Sequence, residues 1–288
     1  LRYTTTGNNN AAIGPYALRG NTTGSRNSAS GQYALRDNTT GSCNTGSGYN
    51  ALRGNTTAAN NNAVGSFSLC GNTTGTGNNA FGSYSLCAAT TASYNTAMGY
   101  LASRNTTTGG SNVAIGGYAG CGNTTGAGNV AVGFCTLYAN TTGPENTALG
   151  SYALVTNTTA CQNVAVGRQA LQYNTTGIRN TALGMNALKS NTTGNCSSAF
   201  GYKALYSQTT SSQNTAVGAC ALYASVTGDN NTAVGYQALK LTTAAYNTGV
   251  GHYALQANTS GDRNTGVGRT VLYTNTTGTQ NTTSGYRS

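Results

Sequence analysis

Residues 214–222 have the sequence N-T-A-V-G-A-C-A-L, and residues 231–239 repeat it as N-T-A-V-G-Y-Q-A-L. The glycine of this motif recurs along the whole chain, and we number it position 0 of a repeat. Fifteen of its sixteen intervals are 17 residues; the exception, from Gly235 to Gly251, is 16, with the deletion around Lys240–Thr243. The 288 residues therefore consist of tandem copies of one 17-residue unit.

Equal positions of the repeat form columns with their own chemistry. Position −1 is large and apolar in 14 of 17 copies, position −2 is Ala or Gly in all but the last, and position +4 is Leu in 15 of 17. One unit cannot bury these side chains alone, so neighbouring units must stack. A unit of 17 residues is too short for a helix pair, and its Asn, Thr, Gly and Val content disfavours helix.

The repeat predicts an all-β fold, a β-solenoid (β-roll or β-helix) of seventeen 17-residue coils. Each coil is expected to hold two or three short strands that pair with the same strands of the next coil. At roughly 4.8 Å per coil the stack would be a rod roughly 80 Å long. We expect residues 1–288 to be a single tandem-repeat solenoid and an excerpt of a longer array.

Two polar columns are expected to shape the corners of the coil. The glycine at position 0 is predicted to have a positive φ or to lie where a side chain would meet the neighbouring coil. Position −4 is Asn in 16 of 17 copies, with Ser197 as the exception. Stacked Asn side chains predict an internal amide ladder that satisfies backbone groups at the corner.

Units such as N-T-A-V-G-Y-Q-A-L (231–239) and N-T-A-L-G-S-Y-A-L (146–154) resemble the head repeats of trimeric autotransporter adhesins of the YadA-like kind. They are also similar to repeats of phage and viral tail-fibre proteins. The resemblance covers every copy, and it implies β-rolls that are often trimeric and attach to surfaces. The adhesin repeat is shorter, and the N-T-T-G block, for example residues 21–24, is an addition to it.

The N-T-T-G block places Asn at position +7 with Thr or Ser two residues later, which is the acceptor pattern for N-glycosylation. If the pattern is used, sugar would coat one edge of the rod; the alternative is a turn in which Asn and Thr bond the backbone and Gly is left-handed. Ice binding is a weaker alternative, because adjacent threonines in a strand point to opposite faces. The candidate glycosylation sites are Asn21, Asn38, Asn55, Asn72, Asn105, Asn123, Asn140, Asn157, Asn174, Asn191, Asn258 and Asn275.

Much of the formal charge of +10 lies in one column near the N-terminus, at position +5. Like charges stacked about 5 Å apart repel, which favours either a counter-anion such as an acidic polysaccharide or a solvated edge that resists lateral aggregation. Nucleic acid is not an expected partner. The basic column consists of Arg2, Arg19, Arg36 and Arg53.

Tyrosines also recur in columns, at positions +2 and +5. Stacked rings could bind sugar or a partner chain, but packing on their own neighbours along the stack is the favoured interpretation.

Eight cysteines fit an extracellular protein. Cys70 and Cys87 occupy position +5 of adjacent coils, which places their Cα atoms near the separation that a disulfide requires. The other cysteines lie too far apart in their columns to pair, and no C-x-x-C metal spacing occurs. We therefore name Cys70 and Cys87 as the candidate disulfide.

The acidic residues number four and His252 is the only histidine, so the chain lacks the groups for an assembled catalytic site. We expect no cofactor, no metal and no membrane span. The sequence predicts an extracellular structural protein that forms a glycosylated fibre by end-to-end or lateral self-association. The alternative is a trimeric adhesin or tail-fibre shaft that binds a surface glycan.

Overall fold

The computed structural model describes residues 3–287, so Arg2 of the basic column lies outside the described residues. The chain forms two compact units, Leu1–Glu145 and Asn146–Ser288. Each unit is a β-solenoid in which every coil contributes one three-residue strand, and residues 3–287 contain no helix. The predicted fold class is therefore confirmed. Each coil contains one strand, however, and not the two or three that were predicted.

The first unit carries eight strands in one parallel sheet, each paired with the next along the chain. Its strands are β1 (Ala11–Ile13), β2 (Ser28–Ser30), β3 (Thr45–Ser47), β4 (Asn62–Val64), β5 (Asn79–Phe81), β6 (Thr96–Met98), β7 (Val113–Ile115) and β8 (Val130–Val132). The register is one coil: Ala63 faces Ala80, and Val64 faces Phe81. Equal positions of the repeat thus become neighbours in space, as the period predicts.

The second unit carries nine strands in a parallel sheet with the same in-register pairing. Its strands are β9 (Thr147–Leu149), β10 (Val164–Val166), β11 (Thr181–Leu183), β12 (Ser198–Phe200), β13 (Thr215–Val217), β14 (Thr232–Val234), β15 (Thr248–Val250), β16 (Thr265–Val267) and β17 (Thr282–Ser284). The register survives the 16-residue repeat, since Thr232 faces Thr248 and Val234 faces Val250.

The missing residue of that repeat lies at the corner after Thr243. The Thr243 amide still bonds the equivalent carbonyl one coil on, at Thr259. Asn231 Nδ2 bonds the Ala244 carbonyl at 2.8 Å, as Asn214 Nδ2 bonds Gly228 at position +10. Position +9 is therefore the one deleted, at the edge of the segment that the sequence indicated. An exposed corner absorbs the deletion because neither the strand nor an interior column loses a residue.

The core consists of small and branched side chains from three columns. Alanines at −2 and +3 and leucines at +4 are almost all buried, among them Ala148, Ala153 and Leu154 at 0% exposure. The large residues at −1 were expected to share this core, and that expectation is wrong. Leu149 is 44% exposed and Met98 is 43% exposed. In a three-residue strand the middle side chain points inward, so both flanking side chains point outward.

The position 0 glycines confirm both parts of the prediction made for them. All seventeen have φ between 118° and 137°. A Cβ on Gly82 would lie 2.5 Å from the carbonyl oxygen of Gly99 in the next coil. The chain turns out of the strand here with its backbone against that of the neighbouring coil, which leaves no room for a side chain.

The segment after each glycine alternates between left- and right-handed backbone. Positions +2 and +4 have positive φ in non-glycine residues, for example Tyr33 at 61° and Leu35 at 49°. This conformation costs roughly 1–2 kcal/mol per residue. It is held because the Leu35 amide bonds the Ala51 carbonyl of the next coil at 3.0 Å, and because the leucine side chain is fully buried.

Candidate functional site

The Asn side chains of the N-T-T-G blocks form a ladder inside the coil. Asn38 Nδ2 donates to Asn21 Oδ1 at 2.8 Å and to the Gly41 carbonyl of its own coil at 2.9 Å. Asn55 repeats both bonds, at 2.7 Å to Asn38 and 3.0 Å to Ala58. The block is a turn closed by an Asn side chain, but its Gly24 and Gly41 do not have the predicted left-handed φ.

This burial bears directly on the twelve candidate glycosylation sites. A glycan would be attached at the Nδ2 atom. In the folded coil that atom faces inward and donates to protein oxygens, as Asn38 Nδ2 does to Asn21 Oδ1 and to the Gly41 carbonyl. The folded structure therefore does not accommodate a sugar at the buried sites. Asn105 at position +6 is exposed and Asn275 is half-buried. The ten buried sites are Asn21, Asn38, Asn55, Asn72, Asn123, Asn140, Asn157, Asn174, Asn191 and Asn258.

The second Asn column, at position −4, confirms the predicted amide ladder. Asn44 Oδ1 accepts the backbone amide of Asn61 at 3.0 Å, and Asn44 Nδ2 bonds the Ala58 carbonyl at 2.8 Å. Ser197 continues the ladder, since its Oγ accepts the amide of Asn214 at 3.2 Å. Two polar ladders thus line the interior, and they satisfy the corner carbonyls that a purely apolar core would leave unpaired.

The two threonines of each block differ in environment. The hydroxyl at position +8 donates to a carbonyl of the next coil, as Thr39 Oγ1 does to Thr56 at 3.0 Å. The threonine at +9 is exposed, and no protein hydrogen bond to its hydroxyl occurs within residues 3–287. The +9 column is Thr or Ser in every described coil that retains the position: Thr6, Thr23, Thr40, Thr57, Thr74, Thr91, Thr108, Thr125, Thr142, Thr159, Thr176, Thr193, Thr210, Thr227, Ser260 and Thr277.

Position +8 is also Thr in most coils, but its hydroxyls bond the protein, and the surface column at position +12 shows no such uniformity. Position +12 is occupied in successive coils by Arg26, Cys43, Asn60, Gly77 and Tyr94. Exposed positions tolerate such variation because few contacts depend on them. The uniform +9 column, which we call the threonine rank, is therefore a candidate functional surface. Its neighbours at +6 and +11 in the first unit are mostly small residues, which leaves space around the hydroxyls.

The basic column is partly neutralised within the chain. Arg36 Nε lies 2.7 Å from Asp37 Oδ1, and this bond raises the pKa of Arg36 above its usual value. The guanidinium groups of Arg19 and Arg36 lie over the rings of Tyr16 and Tyr33, at 5.4 and 5.7 Å from the ring centres. One acid and two aromatic faces thus offset part of the repulsion predicted for the stacked arginines.

Tyrosine rings stack on their counterparts one coil away, in agreement with the favoured interpretation. Tyr16 and Tyr33 have centroids 5.2 Å apart and nearly parallel planes, and Tyr206 and Tyr223 repeat this geometry in the second unit. Such contacts add about 0.5–1.5 kcal/mol per pair beyond buried area. They stiffen the stack along its axis.

The outward side of each sheet carries the large residues of position −1 beside the residues of position −3. In the first unit Val64, Phe81, Met98 and Ile115 follow one another in β4 to β7, with exposures of 37–43%. Contiguous apolar surface of this kind is typical of a contact face. We call this outward side of the strands the strand face. The sequence did not predict that its large apolar residues are exposed.

The candidate disulfide residues lie side by side. Cys70 Sγ and Cys87 Sγ are 3.0 Å apart, and both residues are half-buried thiols. Cys121, two coils beyond Cys87, is buried, and burial raises its pKa. Within residues 3–287 no three His, Cys, Asp or Glu side chains are placed to hold a metal ion, and no helix there is long and apolar enough to span a membrane.

Comparisons of the chain with protein-family models, with curated proteins and with solved structures find no match.

Proposed function

We propose that this chain is a structural protein of an extracellular fibre. One observation carries the proposal: within each unit successive coils bond to each other at the strand and at the −4 ladder, and most of them also at the +7 Asn ladder and at the +8 threonine. Hydrogen bonds that run along the stacking axis resist extension and bending of the stack. Nearly all the repeated positions of the sequence contribute to this stacking, as expected of a protein with a structural role.

The sugars of this proposed fibre attach to the threonine rank rather than to the Asn ladder. The rank is exposed and uniform, and within residues 3–287 its hydroxyls make no hydrogen bond to the protein, whereas the Asn Nδ2 atoms are mostly buried and bonded. O-linked sugars on successive coils would lie about 4.8 Å apart along one corner. A continuous sugar edge of this kind would hydrate the fibre and shield its corner from proteases.

Peptide mass spectrometry of the protein purified from its source tests the sugar assignment. Peptides that span 21–24 should carry hexose-type mass additions that alkaline β-elimination removes, and the loss should map to Thr23. Unmodified threonine in these peptides would overturn the assignment. A mass addition on Asn21 would instead require an unfolded or remodelled coil.

The strand face favours a second candidate function, a homo-oligomeric shaft of the adhesin or tail-fibre kind. Side chains such as Phe81 and Met98 at about two-fifths exposure would gain burial if a second copy packed against them. A second copy is the natural partner because its strand face repeats at the same axial spacing. The oligomer would bind a surface glycan through its other columns.

Light scattering and electron microscopy of the full chain separate these candidates. A discrete trimer or dimer mass supports the shaft, whereas filaments of indefinite length support the self-stacking fibre. Monomeric protein at all concentrations would contradict both. Fibre diffraction should show a meridional spacing of about 4.8 Å in either case.

A further inference from the structure

Position +5 of five successive coils in the first unit holds Arg53, Cys70, Cys87, Arg104 and Cys121. The backbone holds this column in register, since the amides of Gly54 and Gly71 bond the carbonyls of Cys70 and Cys87 at 3.0 and 3.1 Å. Two thiols thus stand next to each other between two arginines, and their Sγ atoms lie 3.0 Å apart.

We propose that Cys70 and Cys87 form a thiol–disulfide exchange site for small-molecule disulfides, in which Cys87 is the attacking sulfur and Cys70 the resolving one. The product is a disulfide between adjacent coils. This assignment concerns the chemistry of the column and does not depend on whether the chain forms a fibre.

The roles of the two sulfurs follow first from the hydrogen bond between them and then from burial and nearby charge. A hydrogen bond from Cys70 and the charge of Arg104 lower the pKa of Cys87 to about 7, against the opposing effect of burial. The same hydrogen bond, burial and the charge of Cys87 raise the pKa of Cys70 despite Arg53. One sulfur is therefore a thiolate near neutral pH while its neighbour keeps a proton, the arrangement that exchange requires.

The exchange takes place in two balanced steps. The Cys87 thiolate attacks a disulfide R–S–S–R, which forms a mixed disulfide and releases one R–S⁻. Cys70 then loses its proton to solvent or to the released thiolate, attacks Cys87 Sγ, and expels the second R–S⁻. Two protein thiols are oxidised to one disulfide, and one R–S–S–R is reduced to two thiols.

The stacked geometry suits the product. Disulfides need Cα atoms about 4.4–6.8 Å apart, and neighbouring coils provide a separation of about 4.8 Å. Cys121 is two coils beyond Cys87, roughly twice that distance, so it cannot compete. Cys43 and Cys196 are exposed, lie in a different column and different units, and provide single-thiol controls.

The experiment uses the reduced full chain and glutathione disulfide, followed by iodoacetamide and trypsin. Peptide 54–104 contains Cys70 and Cys87 and no other cysteine, whereas peptides 37–53 and 190–203 each contain one control cysteine. Peptide 54–104 should resist alkylation and weigh two hydrogen atoms less than its reduced form. The control peptides should carry either glutathione or the alkyl group.

Two variants assign the roles. Cys70→Ser should accumulate a glutathione adduct on Cys87, at a rate about threefold above that of an ordinary thiol at pH 7. Cys87→Ser should react more slowly than Cys70→Ser, because burial still raises the pKa of Cys70 when the charge of Cys87 is gone. Full alkylation of peptide 54–104 in the wild-type chain, under conditions in which Cys43 forms adducts, would overturn the site. Equal rates in the two variants would overturn the assignment of Cys87 as the attacking sulfur.

Discussion

Asn38 Nδ2 donates a 2.8 Å hydrogen bond to Asn21 Oδ1 one coil away, inside the protein. The atom that a glycosyltransferase would need is therefore the atom that joins two coils. The Asn of a motif associated with surface modification therefore has a structural role in the interior. The exposed hydroxyls of the motif lie two residues later, on Thr23 and Thr40.

Loss of one rung of this ladder should weaken the stack locally. Asn55→Ala removes donors to Asn38 Oδ1 and to the Ala58 carbonyl, and it removes the acceptor of Asn72 Nδ2 at 2.9 Å. We expect a loss of about 2–4 kcal/mol from the unpaired buried groups. Hydrogen exchange of the backbone amides in residues 38–72 measures this loss of stability. The matched control is Asn105→Ala at an exposed position, which should stay within about 0.5 kcal/mol.

Substitution of a glycine at position 0 should destabilise the protein far more than substitution of a glycine at position +1. Gly82 and Gly117 provide this comparison. Gly82→Ala places a Cβ 2.5 Å from the Gly99 carbonyl oxygen at a φ of 134°. We expect a cost of about 3 kcal/mol or more. In Gly117→Ala the nearest atom to the new Cβ is a ring carbon of Phe134 at 3.5 Å, so the melting temperature should hardly change. Equal shifts for both variants would contradict this account of the corner.

The leucine column is interrupted at Ser103 and Gly120, and a small cavity lies beside them. Ser103 already has the left-handed φ of the column leucines, 48° against 47–52°. Ser103→Leu should therefore fill the cavity without new backbone strain and stabilise the first unit by about 1 kcal/mol. The reverse change, Leu188→Ser at a fully buried site, should cost about 3 kcal/mol. Thermal unfolding of both variants is the measurement, and destabilisation by Ser103→Leu would show that the cavity cannot accept the side chain.

Alkylation of Cys87 should follow an unusually low pH midpoint. Its pKa is lowered to about 7, so the thiolate is populated as pH rises through 7 and the rate should level off above pH 8. The groups that face it are Cys70 and Arg104, with Arg53 beyond Cys70, and both arginines stay charged throughout this range. Arg104→Gln should shift the midpoint upward. The rate of iodoacetamide labelling as a function of pH, with Cys43 as the reference thiol, measures this midpoint. A midpoint that Arg104→Gln leaves unchanged would exclude the charge of Arg104 as a cause of the lowered pKa.

Several contacts between coils were predictable because they depend only on the period. The pairing of Cys70 with Cys87, the stacking of Tyr16 on Tyr33 and the ladder of Asn27, Asn44 and Asn61 all follow once coils lie in register. The strand face was missed, because a sequence of apolar residues at −1 does not say which side of a three-residue strand faces the core. The burial of the +7 Asn column was missed for a similar reason, because the same N-T-T sequence fits both an exposed glycosylation acceptor and an inward-facing Asn.

The sequence by itself determined the coil length, the parallel register and the columns, since a strict 17-residue repeat allows only equal positions to stack. Only the tertiary structure decided which columns face inward. That choice depends on left-handed backbone at residues such as Leu35 and Tyr33, which no local preference favours. Bonds to the neighbouring coil and burial of the leucine offset its cost, and those interactions exist only when the coils have stacked.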